Sequence, residues 1–414
     1  MKRFLIIIFS FILVSLLDSF CFASEEKLSY GLDELIEIAL KENPQLLAFK
    51  AGVDMSKGEL VQASLYPNPE IEGGGLRGRA LGGESKSGKE YNFTLSQPFE
   101  WPLKRFYRKK VAGKDVNIAN LELEGFSLDL TSQVKIIFHE ILRLKKELSL
   151  SSENLSDLEK VLSSIKVKVE SGEAPEFELI KAQVEVLRAE KELKKAENKI
   201  LIAKSNLNSL LGKSLPEGFD VSGELTAAPS SNYETNLLLN IAYKKQPLLL
   251  QKESDLQKQQ YNISFQKNSR FPDISLKGIF AREIDKKSFG FGLSLPLPLW
   301  NRNQGAISSA YAGERKAQEE FNQIKIELSR LITEELKNYQ IATDQLEVFK
   351  KGLLTQAEEA LRIAKLRYEE GESGIIDFLD AQRVYRQTFF EYYQALFEAN
   401  TAKFRLERLV GGEI

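Results

Sequence analysis

Two periodicities alternate along this chain. Short stretches repeat every two residues, and long stretches between them repeat every three or four. The clearest short stretch opens the run from Ser288 to Gly305, where Phe289, Phe291, Leu293 and Leu295 alternate with Gly290, Gly292 and Ser294. Period two puts the two sets on opposite faces of a β-strand. One face is large and apolar, and the other is nearly bare. That pattern fits a strand with lipid outside and a lumen inside. It also fits a sandwich strand whose apolar face lies in a core. Pro296, Pro298 and Trp300 follow, and a helical pattern begins at Asn303.

The same order of signals appears earlier. Leu32 to Asn43 predicts a short amphipathic helix stopped by Pro44, and a second helix covers about Gln45 to Ser64. Tyr66-Pro67-Asn68-Pro69 breaks it. Glu70 to Leu76 reads as a weak strand, Arg77 to Lys89 as an exposed Gly-rich loop, and Tyr91 to Ser96 as an alternating strand closed by Pro98. The hairpin is placed at about 69–98. From Lys104 to Glu170 there is no proline, and a helix of that length would run for about 100 Å. Such a length points to a coiled-coil-like assembly. Ser171 to Pro175 turns the chain. In the next helix Leu193, Ala196, Ile200, Ala203, Leu207 and Leu210 mark a heptad seam.

After a linker at 215–236 the order starts again. It predicts a hairpin at about 273–296, a helical hairpin at about 303–411, and a turn at 370–374. Seam residues there include Phe321, Ile324, Leu328, Leu331, Leu346, Phe349, Leu353, Ala357, Ala360 and Ala364. Gly172, Glu173, Glu178, Ala182 and Gln183 match Gly371, Glu372, Asp377, Ala381 and Gln382 at an offset of 199 (371 − 172). Leu207, Leu210 and Gly212 match Leu406, Leu409 and Gly411 at that offset, as Trp101 matches Trp300. The expectation is a two-fold internal repeat, with halves at 24–214 and 237–414. Each half is a hairpin followed by a long helical pair (104–212, tip 171–175, in the first). A 199-residue period is too long for a solenoid.

The chain's start changes the picture. Met1-Lys2-Arg3, the apolar run Phe4 to Leu17 and the small Ala23 read as a secretory signal at 1–23. The alternative is a lipoprotein modified at Cys21, which bulky Phe20 fits poorly. Cys21 is the only cysteine among 414 residues, so a cut after Ala23 leaves no disulfide and no thiolate metal site. Past the signal no run of apolar residues is long enough for a membrane helix. Lys plus Arg number 57 and Asp plus Glu 59, a balance that offers nucleic acid no attractive field. His139 is the only histidine, so no Ser/His/Asp set is expected and no soft-metal site either. Gly73-Gly74-Gly75 lacks the Lys-Ser/Thr of a phosphate loop. No enzymatic constellation and no cofactor are expected.

Four strands per chain cannot close a barrel, since the smallest membrane barrels have eight. An exported chain of this kind must pool strands with other copies, and its helices likewise. The predicted class is mainly α with a small membrane β part: a shared barrel continued by a helical conduit. The rival is a periplasmic coiled-coil adaptor or scaffold, which would need no Phe/Leu-versus-Gly/Ser strand faces.

The doubled layout, Tyr66-Pro67-Asn68-Pro69, the run Leu295-Pro296-Leu297-Pro298-Leu299-Trp300-Asn301-Arg302-Asn303-Gln304-Gly305 and Leu379-Asp380-Ala381-Gln382-Arg383 resemble the TolC-type outer-membrane efflux factors. The proline-rich junction is most similar to their heavy-metal (CzcC-like) branch. That resemblance implies a homotrimer with a 12-stranded outer-membrane barrel and a long periplasmic α-barrel. It also implies a periplasmic adaptor (membrane fusion) protein and an inner-membrane pump of the resistance-nodulation-division type as partners. The implied role is a passive duct for metal cations or small toxic compounds.

The resemblance makes the two helical tips adaptor-contact candidates: Ser171, Gly172 and Glu173, then Glu370, Gly371 and Glu372. Their other reading is as helix caps, which favour glycine. Glu369, Asp377 and Asp380 cluster with Glu370 and Glu372. In a trimer these acids would ring a cation-favouring mouth; they also suit a solvated helix start. Trp101 and Trp300 read as membrane-interface aromatics, or else as core packing.

Overall fold

A computed structural model of the chain describes residues 29–79, 87–227 and 233–414. The predicted signal segment 1–23 with Cys21 lies outside them, as do parts of the predicted loop after Arg77 and of the predicted linker at 215–236. In chain order the elements are β1 (Ser29–Tyr30), α1 (Leu32–Glu42), α2 (Pro44–Ser64), β2 (Glu70–Arg79), β3 (Ser87–Phe99), α3 (Pro102–Glu170), α4 (Glu176–Leu210), β4 (Asp220–Val221), α5 (Thr235–Lys245), α6 (Pro247–Asn268), β5 (Ile274–Arg282), β6 (Lys287–Ser294), α7 (Gln304–Val348), a π-helical turn (Phe349–Leu353), α8 (Leu354–Glu369) and α9 (Ile375–Val410). The protein is mainly helical with a few strands. Among the described residues no helix is long and apolar enough to cross a membrane.

The backbone groups into two compact units, the first comprising residues up to Ala39 and Ile137–Leu225. Its organising feature is the seam of α4. Ala182, Val186, Ala189, Ala196, Ile200, Ala203 and Leu207 are buried, a 4-3 spacing that extends the predicted heptad back towards the turn. Alanine recurs every seventh position, so the facing backbone can come close. Leu144, Leu158 and Ile165 of α3 are buried in the same unit. Pro175 caps α4 from outside with extended backbone rather than entering its first turn, and Glu176 and Glu178 occupy that turn. β1 and β4 form a short parallel pair. Lys145 fastens it: its ammonium donates to Asp220 Oδ2 and to the Val221 carbonyl, each at 2.7 Å. Lys204 reaches Asp220 Oδ1 at 2.9 Å.

The second unit, Leu40–Ile136 with Thr226–Ile414, contains the larger sheet. Asn43 begins α2, its side chain accepting from the Leu46 N–H at 2.9 Å, with Pro44 in the first turn where a missing N–H costs nothing. The core joins α5, α6, α7 and α9: Leu238, Ala242, Leu249, Leu328, Ile332, Leu336, Tyr339, Ala402, Leu406, Leu409 and Val410 form one buried cluster. Glu407 is buried beside it and bonded to Lys135 at 2.9 Å. The paired charge is tolerated because the partner replaces lost solvation. Gly411 ends α9 with φ +86°, and a Cβ there would lie 2.7 Å from the Lys245 backbone. The stripe on α7 and α8 is buried at Leu328, Leu346, Phe349 and Ala357 but exposed at Leu353 and Ala360. The seam is interrupted there because the π-helical turn, with Gly352 at φ 121°, shifts its phase.

Burial pushes the Asp220 carboxyl up, yet the Lys145 and Lys204 hydrogen bonds together hold it below the ordinary aspartate range. A depressed folded-state pKa stabilises the fold above the unfolded value, about 4. That contribution is lost as pH falls through the folded value. Asp220→Asn is therefore expected to lower the melting temperature of the first unit at pH 7, with the gap to wild type closing below about pH 4. Melting curves across pH 3–7 check it.

Candidate functional site

The four-stranded sheet is an antiparallel meander in the order β2-β3-β5-β6. Register decides which side chains share a face. Gly73 pairs with Phe93, Phe93 with Phe280 and Phe280 with Phe289. In the next rows Ile71 meets Leu95, Gly278 meets Leu95 and Phe291, and Leu276 meets Leu293. One face therefore collects Ile71, Phe93, Leu95, Leu276, Phe280, Phe289, Phe291 and Leu293. All of these are exposed, Phe291 by 85%. Gly73 acts as a socket: a Cβ there would sit 3.2 Å from the Phe93 ring. By the same register the opposite face carries Glu70, Glu72, Asn92, Thr94, Ser96, Lys277, Ser288, Gly290 and Gly292, with Leu76 and Ile279 among them. Its carboxylates were not legible in the sequence, where Glu70 to Leu76 shows hardly any alternation.

Several boundaries differ from the sequence expectation: β2 runs on to Arg79 and β3 begins at Ser87, inside the stretch read as a loop. Leu295 lies one residue past β6, which ends at Ser294 because Pro296 has no N–H to offer a ladder. β3 continues through Pro98 to Phe99. Proline is tolerated there because β2 pairing stops at Ser96, leaving Pro98 with a neighbour on one side only.

The strand-to-helix junctions are held by side chains that pattern reading passed over. The Trp101 N–H donates to Asp273 Oδ1 at 3.1 Å, and Lys104 donates to the same oxygen at 2.7 Å. The Trp101 ring stacks on Phe271 with centroids 5.0 Å apart. Trp300 is 86% exposed. The two tryptophans thus occupy different surroundings: one half-packed against an aromatic, the other bare. Arg105 donates to the Ser64 carbonyl and lies over the Tyr66 ring at 3.9 Å. Arg108 donates to the Ala63 and Leu65 carbonyls and pairs with Glu100. Together they satisfy the last carbonyls of α2, which its own helix leaves open. Asn303, at φ 62°, donates from Nδ2 to the Gln266 backbone and side-chain oxygens.

The helical turns share one hydrogen-bond pattern. In the first unit the N–H of Ser171 donates to Val167, Gly172 to Val169 and Glu173 to Lys168. In the second unit Glu370 donates to Leu366, Gly371 to Tyr368 and Glu372 to Arg367. Gly172 and Gly371 have φ of +77° and +75°, the left-handed helix termination that glycine permits. Capping is thus a property of both turns. Ser171, Gly172, Glu173, Glu370, Gly371 and Glu372 are also all exposed. Around the second turn Glu369, Asp377 and Asp380 are not buried either. Arg383 pairs with Asp380, and Arg367 approaches Glu372 at 3.8 Å. Glu369, Glu370 and Asp377 have no cation within ion-pair distance among the described residues. Beneath them Ile375 and Phe378 are buried, with Phe378 stacked on Tyr368.

Among the described residues no group of acids, histidines or cysteines is arranged to hold a metal ion. What is present is a lipid-compatible sheet joined to long capped helices, the parts of a channel wall. Comparison with known proteins gives the particular family. The model of the outer membrane efflux protein family matches residues 35–213 and 238–412, and the chain belongs to that family of efflux channel subunits. It is 26% identical over 382 residues to the cobalt-zinc-cadmium resistance protein CzcC of Cupriavidus metallidurans, covering 92% of this chain and 90% of that one. It is 24% identical to the pyoverdine export outer membrane protein OpmQ of Pseudomonas putida, covering 94% and 87%. A crystal structure of a membrane protein from Pseudomonas aeruginosa superposes with a TM-score of 0.79 at 20% identity, covering 92% and 90%.

Replacing Gly371 with Ala forces a Cβ into left-handed backbone but into open space. The expected loss is about 1 kcal/mol, all of it conformational. Gly371→Asn is expected to lose less, since Asn adopts that conformation more readily. Thermal denaturation of the two variants beside wild type measures both.

Proposed function

We propose that three copies of this chain build a passive duct through the outer membrane. Each copy gives four strands to a 12-stranded barrel, and its long helices continue the wall into the periplasm. The observation that carries this reading is the sheet itself. Its apolar face is exposed, and β2 and β6 are edge strands with unpaired backbone groups. In lipid such edges cost several kcal/mol per unsatisfied group, so a four-stranded sheet there must close with others. The alternative of a periplasmic adaptor or scaffold gives that face nothing to meet. The matching halves, with their equivalent turns, support an origin by internal duplication.

In this reading Phe289, Phe291 and Leu293 face lipid, with Leu295 at the strand end, and Trp101 and Trp300 lie at the membrane boundary. The turns at Ser171–Glu173 and Glu370–Glu372 meet a periplasmic adaptor that links the duct to an inner-membrane pump of the resistance-nodulation-division type. Glu369, Glu370, Glu372, Asp377 and Asp380 line the mouth. The cargo class is metal cations or small toxic compounds, following the metal-resistance relative, and transport needs neither cofactor nor catalysis in this chain.

Phe291→Arg is expected to cost roughly 2–4 kcal/mol per subunit if the position meets mid-membrane lipid. The yield of trimer in outer-membrane fractions should then fall several-fold; normal yield would remove the lipid assignment. Changing Glu370, Glu372 and Asp377 together to their amides is expected to reduce cation preference in single-channel recordings. A reversal potential equal to wild type under a salt gradient would exclude the acidic mouth.

A further inference from the structure

One cavity of the second unit has no part in that scheme. It measures about 540 Å³ and is lined by Leu60 of α2, by Phe106, Lys109, Lys110, Gly113 and Lys114 of α3, and by Tyr261 of α6. No acid lines it. Lys114 is held by the Gln257 side chain of α6, and Lys110 lies 5.6 Å from the centre of the Phe106 ring. Lys109 is exposed and has no carboxylate within ion-pair distance among the described residues.

The layering along α3 indicates what would fill it. Leu103, Phe106, Lys110 and Gly113 follow one another at spacings of 3, 4 and 3, a single stripe on the helix. Leu103 and Phe106, nearest the sheet, are apolar and about half exposed. Lys104, Arg105 and Arg108 are taken up by the junction contacts, and the lysines of the cavity begin at Lys109, about 4.5 Å beyond Phe106 along the axis. Moving away from the sheet, this stripe and the cavity lining therefore pass from apolar to cationic. The inner half of a bilayer makes the same passage from acyl chain to phosphate.

We propose that this cavity binds an anionic phospholipid, its acyl chain along Leu103, Phe106, Leu60 and Tyr261 and its phosphate among Lys109, Lys110 and Lys114. The proposal rests on the outer-membrane reading above. Gly113 leaves the headgroup room where a side chain would stand. The attraction is electrostatic, so it favours phosphatidylglycerol over phosphatidylcholine and weakens with salt.

The test uses the full-length channel purified from outer membranes and placed in mixed micelles with phosphatidylglycerol or phosphatidylcholine, bound lipid being counted by native mass spectrometry. Wild type is expected to retain phosphatidylglycerol selectively. Lys109→Gln/Lys110→Gln/Lys114→Gln is expected to lose retention on the order of a hundredfold, and the matching triple Arg variant to keep it. Equal retention of both lipids by wild type would overturn the proposal, as would unchanged retention in the Gln variant. Displacement of phosphatidylglycerol by millimolar inorganic phosphate would also overturn it, showing a free-phosphate site instead. Wild type absent from the outer-membrane fraction would refute the underlying membrane reading. A Gln variant that reaches that fraction but arrives without lipid supports the site alone.

Discussion

Cross-strand register in the four-stranded sheet is the constraint on which the rest depends. A slip of one residue in β3, β5 or β6 would move its aromatic residues to the opposite face. Gly73 beside Phe93 helps hold the alignment, because the Phe93 ring packs where the neighbouring strand has no side chain. The result is an apolar face with no cover, and two edges with no partner, among the described residues. Both deficits are of the kind that a bilayer and further strands remove together, which is why a small sheet dictates the reading of a mainly helical protein.

The helices solve a different problem. They are long, and their buried residues lie in narrow seams, with Phe177, Leu187, Leu201, Ile202 and Ile326 left exposed outside them. In α4 the recurring alanine at Ala182, Ala189, Ala196 and Ala203 gives little buried area per residue but allows close approach along the whole length. The core of the second unit is not a simple oil drop, since charge is admitted where it is paired. Ile332 and Leu406 are fully buried, and Glu407 sits nearby against Lys135. Such pairs add little net stability over apolar contacts but fix alignment, because each charge is costly without its partner.

The junctions join the two regimes. Arg105 and Arg108 close the end of α2, and Lys104 with Trp101 ties the start of α3 to Asp273 just before β5. The basic run from Lys104 to Lys110 therefore divides its labour. Three residues serve local carbonyls and carboxylates, while Lys109 and Lys110 remain for the cavity.

Much was legible in the residues alone. The period-two run at Phe289–Leu293, the heptad of α4, the long proline-free helix and the equivalent turns at Gly172 and Gly371 are local patterns, and local patterns are set by backbone geometry that any short segment obeys. The carboxylates opposite the apolar face, the single-sided neighbour that admits Pro98, the break at Gly352 and the lysine-lined cavity were not legible. Each depends on residues distant in the chain being brought into register or into contact. Periodicity along one strand or helix says which residues share a face, and only tertiary pairing says what that face meets.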